Sequence, residues 1–161
     1  MNFFKKLFGS SVSPSEEEQK EAEDKEFDVL KYDGMRAFKT GETAFAIECF
    51  RHALRLQEDL EVRDYLSQAL IQSNELLKAY DELQKLADAE PDNIQIVIRM
   101  AHVAYMMENY TVMGDACERG KLLDKDNVDI NYLYARACLG MGDLVNTIAM
   151  LTKTISLDED Y

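Results

Sequence analysis

Proline occurs twice in these 161 residues, histidine twice and cysteine three times. With so little proline, and few glycines, long stretches lack the residues that interrupt regular structure. Three cysteines are an odd number, without C-x-x-C or a disulfide-like spacing, which fits a reducing compartment and free thiols. Neither His52 nor His102 has a second ligand-type residue at helical spacing, so no metal site is legible and no cofactor is expected. The phosphate-cradling glycine loops and the G-x-S-x-G nucleophile elbow are missing too, which makes an enzyme improbable. There is no run of 18 apolar residues to span a membrane, and the opening lacks the apolar stretch of a secretory signal. Positive charge is short as well. Against 31 Asp and Glu stand 18 Lys and Arg, leaving a net −13 that repels phosphate backbones and argues against nucleic acid. These absences predict a cytoplasmic protein.

What is present is enough for one domain. Hydrophobic residues make up 47% and charged residues 30%, a soluble composition that can bury a real core. Residues 1–26 differ from the rest. "FFKKLF" is followed by the polar "GSSVSPS", which has the composition of a linker, and then by the acidic "EEEQKEAEDKE". Ser15 with Glu18 has the form of a capping box, so the acidic run either starts a solvated helix or is a flexible spacer. On a short helix Phe3, Phe4, Leu7 and Phe8 share one face, with Lys5 and Lys6 opposite. Three readings stay open for that segment: weak, reversible contact with an anionic inner membrane surface or a partner, docking into the chain's own groove, or no role.

From Phe27 onward the chain repeats itself. "EPDN" at 90–93 returns as "DKDN" at 124–127, 34 residues later, and "DED" closes at 158–160. Gly34, Ser67, Ala101 and Ala135 put a small residue at matching places, 33, 34 and 34 residues apart. Between them recur the turns "KTGE", "QSNE", "MENY" and "MGDL", in which Gly41, Asn74, Asn109 and Gly142 tolerate left-handed backbone angles. Apolar residues follow at helical spacing, such as Ala46, Phe50, Ala53 and Leu54, then Ala79, Leu83 and Leu86. Pro91 stops one helix, and Asp92 or Asn93 can cap the next. Two helices of about 14 residues with two turns use up roughly 34 residues, which explains the interval. Stacked pairs bury what one pair cannot, so the expectation is an all-α solenoid with units near 27–59, 60–93, 94–127 and 128–161.

This pattern resembles the tetratricopeptide repeat across residues 27–161. "FKTGETAFAIECFRHALRL" carries the turn glycine Gly41, the small Ala46, the aromatic Phe50 and the Ala53–Leu54 pair. The later units depart from it: Met113 and Thr147 stand where alanine is usual, Gly120 and Thr154 replace a later alanine, and Asp33 replaces an apolar residue. The resemblance implies a right-handed superhelix of about four helix pairs. Its concave groove, lined by first helices, would take peptides or helices of other proteins.

By register the groove positions are Asp28, Lys31, Met35, Phe38 and Lys39 in the first unit, and Glu61, Asp64, Gln68, Ile71 and Gln72 in the second. The third offers Gln95, Ile98, His102, Tyr105 and Met106, and the fourth Asp129, Tyr132, Arg136 and Leu139. Ile98, Tyr105 and Met106 are expected to face an open groove, since "NIQIVIRMAHVAYMMEN" is apolar nearly all round. Arg136 beside Tyr132 suits a partner carboxylate or phosphate. Among the family's carboxylate-binding positions only Lys31 is matched, so a carboxylate clamp is rejected. The leading expectation is therefore a non-catalytic scaffold for another protein; the alternative is a small acidic chaperone for secretion or assembly. Cys49, Cys117 and Cys138 are expected as small buried hydrophobes. The fourth unit closes without a covering helix, so Ile148, Leu151 and Ile155 are expected either to meet further chain or to pair with a second copy.

Overall fold

The computed structural model describes residues 14–161, which form eight α-helices and no strand. They are α1 (Glu16–Lys39), α2 (Thr43–Leu56), α3 (Leu60–Gln72), α4 (Leu76–Ala89), α5 (Ile94–Met106), α6 (Tyr110–Leu123), α7 (Val128–Gly140) and α8 (Leu144–Leu157). Each helix packs on the next in chain order, as two-helix units stacked side by side. Among the described residues no helix is long and apolar enough to cross a membrane. The segment Phe3, Phe4, Lys5, Lys6, Leu7 and Phe8 lies outside the described residues.

Helix starts follow from short polar side chains at the caps. Asp59, Asn93 and Asn127 open α3, α5 and α7, each accepting a backbone N–H of the first turn; Asn109 and Asp143 do the same for α6 and α8. Ser15 and Glu18 form a complete capping box at α1, so the acidic run is helical from Glu16 onward. The division drawn between residues 26 and 27 is therefore no structural boundary. A single helix runs through it, because nothing after the cap breaks the i to i−4 ladder. Only its later part is packed, and the acidic first turns stay exposed.

Small residues set the distance between paired helices. Gly34, Ser67, Ala101 and Ala135 are all buried, and Gly34 lies hard against Phe50. Phe50, Val62 and Leu70 fill one core cluster, while Leu83, Val97, Met113, Cys117 and Ile130 fill the other. Complete burial of one such side chain contributes about 1.5–3 kcal/mol. Where alanine is replaced, the packing compensates. Met113 is fully buried, and Gly120 makes room for the Ile130 side chain. Thr147 and Thr154 donate their hydroxyls to Asp143 and Met150 carbonyls one turn back, so neither buried oxygen is left unpaired. All three cysteines are buried and free.

The turns between paired helices take a left-handed residue at Gly41 (φ 83°), Asn74 (φ 60°), Glu108 (φ 55°) and Gly142 (φ 78°). Asn109 was the expected residue in the third turn, and Glu108 holds that place instead. Asn109 sits one step later, where its side chain is engaged as the cap of α6. Glu108, not Asn109, is thus the structural counterpart of Asn74.

Candidate functional site

First helices approach one another across the repeats, α1 to α3 and α5 to α7, and successive second helices come no closer than this. The stack therefore curves with its first helices on the inside, which makes their free surface the concave one. Among the first-helix residues assigned to that surface, the structure separates two kinds.

The first kind spans the junction between successive first helices. Lys31 Nζ reaches Asp59 Oδ2 at 3.2 Å and Glu61 Oε2 at 2.7 Å. The bond to Glu61, backed by Asp59, holds the Lys31 ammonium above its ordinary pKa against the opposing effect of partial burial. Phe38 meets the edge of Tyr65, whose ring also stacks on Phe50. At the next junction Asp64 pairs with Arg99, which also donates to the buried Ser67 hydroxyl at 2.8 Å. At the last one Arg136 lies 4.0 Å from the centroid of the Tyr105 ring and donates to the Tyr105 hydroxyl. Lys31, Phe38 and Tyr105 thus tie the stack together rather than standing free in the groove. Arg99 was not among the expected groove residues; its opposite charge 35 residues after Asp64 was the available signal.

Ile98 is a correction. It was expected on an open surface, yet it is only 7% exposed and belongs to the core cluster. Its first helix has an apolar stripe wide enough to meet its own partner and both neighbouring units, so the stack itself closes over it.

The second kind remains open: His102, Met106 and Leu139 are exposed, as are Gln72, Gln95 and Asp129. Arg136 and Tyr132 are half-buried between these groups. Among the described residues no carboxylate lies within salt-bridge distance of Arg136, whose guanidinium faces Tyr105 and, at 5.8 Å, Tyr132. Tyr132 in turn meets the ring of Tyr161, whose hydroxyl donates to Asp129 at 2.5 Å; burial first, then that bond, pushes the Tyr161 phenol up to about 12. Tyr132, Ala135, Arg136, Leu139, Thr147 and Leu151 line a cleft of about 240 Å³. An unneutralised cation between aromatic faces, rimmed by leucine, can hold an anionic group beside an apolar one. No arrangement of three or more His, Cys, Asp or Glu suited to a metal ion is present among the described residues.

No protein-family model and no curated protein sequence matches this chain. Solved structures do. A crystal structure of MamA is 17% identical over 86% of this chain and 76% of its own, with a TM-score of 0.74. MamA residues 41 to the end, from Desulfovibrio magneticus RS-1, is 18% identical over 84% and 77%, with a TM-score of 0.71. YrrB, a TPR protein described as having an unusual peptide-binding site, is 16% identical over 80% and 66%, with a TM-score of 0.69. At these identities the likeness carries the fold alone. Four stacked helix pairs with small residues at the pair contacts, and these structural neighbours, make the chain a TPR-like right-handed α-solenoid.

Proposed function

We propose that this chain is a non-catalytic binding module that holds a peptide or helix of another protein along its first-helix face. One observation carries the reading. At the junction of α5 and α7, Arg136 is held by two tyrosines with no carboxylate opposite it among the described residues, in a chain with 13 more acids than bases, while the exposed Leu139 lines the same cleft. A structural arginine in so acidic a protein would ordinarily find a carboxylate, as Arg63 and Arg99 do. The site suits a segment with an apolar side chain next to an acidic group. YrrB's peptide-binding site supports a polypeptide ligand by fold analogy. Because the helices are already packed, binding orders mainly the ligand.

The test is a display library of random peptides selected on the immobilised full chain. Selection of sequences pairing acidic with large apolar residues, lost in an Arg136→Ala, Met106→Ser, Leu139→Ser variant of unchanged helicity, is the expected result. Equal selection by that variant overturns the site.

A further inference from the structure

The outward face of α8 is unlike that of any other second helix. Leu144, Ile148, Leu151 and Ile155 form one stripe at spacings of 4, 3 and 4, and they are 61%, 65%, 38% and 57% exposed. In the first three units the places equivalent to Leu151 are Phe50, Leu83 and Cys117, each fully buried under the first helix of the next unit. The cleft between α7 and α8 is the fourth-unit counterpart of that covered junction. Of its six lining residues, Tyr132, Ala135, Leu139, Thr147 and Leu151 correspond to Ile98, Ala101, Tyr105, Met113 and Cys117, packed in or against the core beneath α7, and Arg136 corresponds to the exposed His102. The face is therefore shaped to receive a helix.

Charge and pattern say which one. Over its 14 residues α8 carries no carboxylate and a single cation, Lys153, which is turned inward to Asp126 and to the Lys125 carbonyl. In a chain of net −13, two copies repel each other wherever carboxylates meet, and this helix is free of them between its caps Asp143 and Asp158. The stripe is also complementary to itself. Laid antiparallel on a second copy, Leu144 faces Ile155 and Ile148 faces Leu151, so every contact pairs one leucine with one isoleucine. The 4-3-4 spacing is that of a coiled-coil seam. With flanking Val145, these five residues expose roughly 500 Å², near the top of the range for the largest apolar patch on a monomer. Covered on both copies they reach about 1,000 Å², the least expected of a specific interface.

We infer that two copies of this chain associate through α8, antiparallel and about a two-fold axis. A symmetric pairing closes at two copies, whereas a head-to-tail one continues to grow.

Sedimentation of the full chain across about 1–200 µM tests this, with a monomer–dimer equilibrium in the micromolar range expected for so small an interface. Leu144→Lys with Ile148→Lys changes only exposed positions; it should keep the helical circular dichroism and weaken association at least 100-fold. Oxidising a mixture of Ile148→Cys and Leu151→Cys chains should yield the mixed disulfide dimer in preference to either homodimer. A monomer throughout, a dimer that survives the double lysine variant, or growth past two copies overturns the proposal. So does loss of the dimer when Phe3, Phe4, Leu7 and Phe8 are all changed to serine, which would give the face to that segment instead.

Discussion

The ring of Phe50 lies so close to Gly34 that a Cβ on the glycine would meet Cε1 at 2.6 Å and Cδ1 at 2.8 Å. Neither partner has room to yield, because Phe50 is fully buried and the Cys49 Cβ closes the other side at 3.1 Å. This contact fixes how near α1 comes to α2 and so the geometry of the first unit.

Gly34→Ala should therefore lower stability by about 2–3 kcal/mol, read as a shift in the urea midpoint at constant slope. Gly41→Ala is the comparison. Nothing lies within 4 Å of its added methyl, but the backbone sits at φ +83°, so the loss should be only about 1 kcal/mol. Equal losses at the two sites would show that backbone angle, not the Phe50 contact, decides both.

Glu108 occupies the left-handed turn position that glycine holds in the first and fourth units. Its side chain is exposed and has no described salt-bridge partner, so nothing offsets the strain of φ 55°. Glu108→Gly should raise stability by about 0.5–1 kcal/mol. Asn109→Ala, which removes the cap on Val112 N–H, should cost about 1 kcal/mol. Thermal melting of the two variants should move in opposite directions.

High pH should weaken the fold. Burial pushes the Cys117 thiol from 9.0 up to about 12; burial and then the bond to Glu118 push the Tyr134 phenol from 10.0 to about 12. The bond to Glu61 leads the causes that hold Lys31 above 10.5. Each folded-state pKa is raised, so the folded chain grips these protons more tightly than the unfolded one. The resulting stability is complete below the unfolded values and is lost as pH rises through the folded ones. The urea midpoint should thus hold to about pH 8.5 and fall above about pH 9. Cys49 and Cys138 are also raised by burial, so a thiol reagent at pH 8 should modify none of the three until the chain unfolds. Rapid labelling of the native protein would contradict the buried thiols.

The helix pairs were legible because a 34-residue interval leaves local marks: a small residue at each pair contact, a turn residue tolerant of positive φ, and a capping side chain. Each acts within a few residues of itself, so one sequence reveals it. The third turn shows how local that information is. Asparagine suits both a left-handed turn and a helix cap, and only the backbone tells which role Asn109 plays. The candidate site was less legible. Periodicity placed His102, Met106 and Leu139 on the open side, but the same rule put Ile98 there, where the neighbouring unit covers it. Lys31 and Tyr105 looked available for a ligand, yet their partners belong to the next first helix: Asp59 caps α3, Glu61 lies in it, and Arg136 lies in α7.

Taken alone, the order of residues determined that this protein is helical, that its helices come in pairs, and that the pairs recur. Those properties follow from hydrogen bonds and side-chain spacings inside one turn or one pair. Which face of each first helix stays open was decided only by tertiary packing. Burial depends on how near the next unit lies, and that distance is set by contacts such as Phe50 on Tyr65 and Arg136 on Tyr105, whose partners stand 15 and 31 residues apart in the chain.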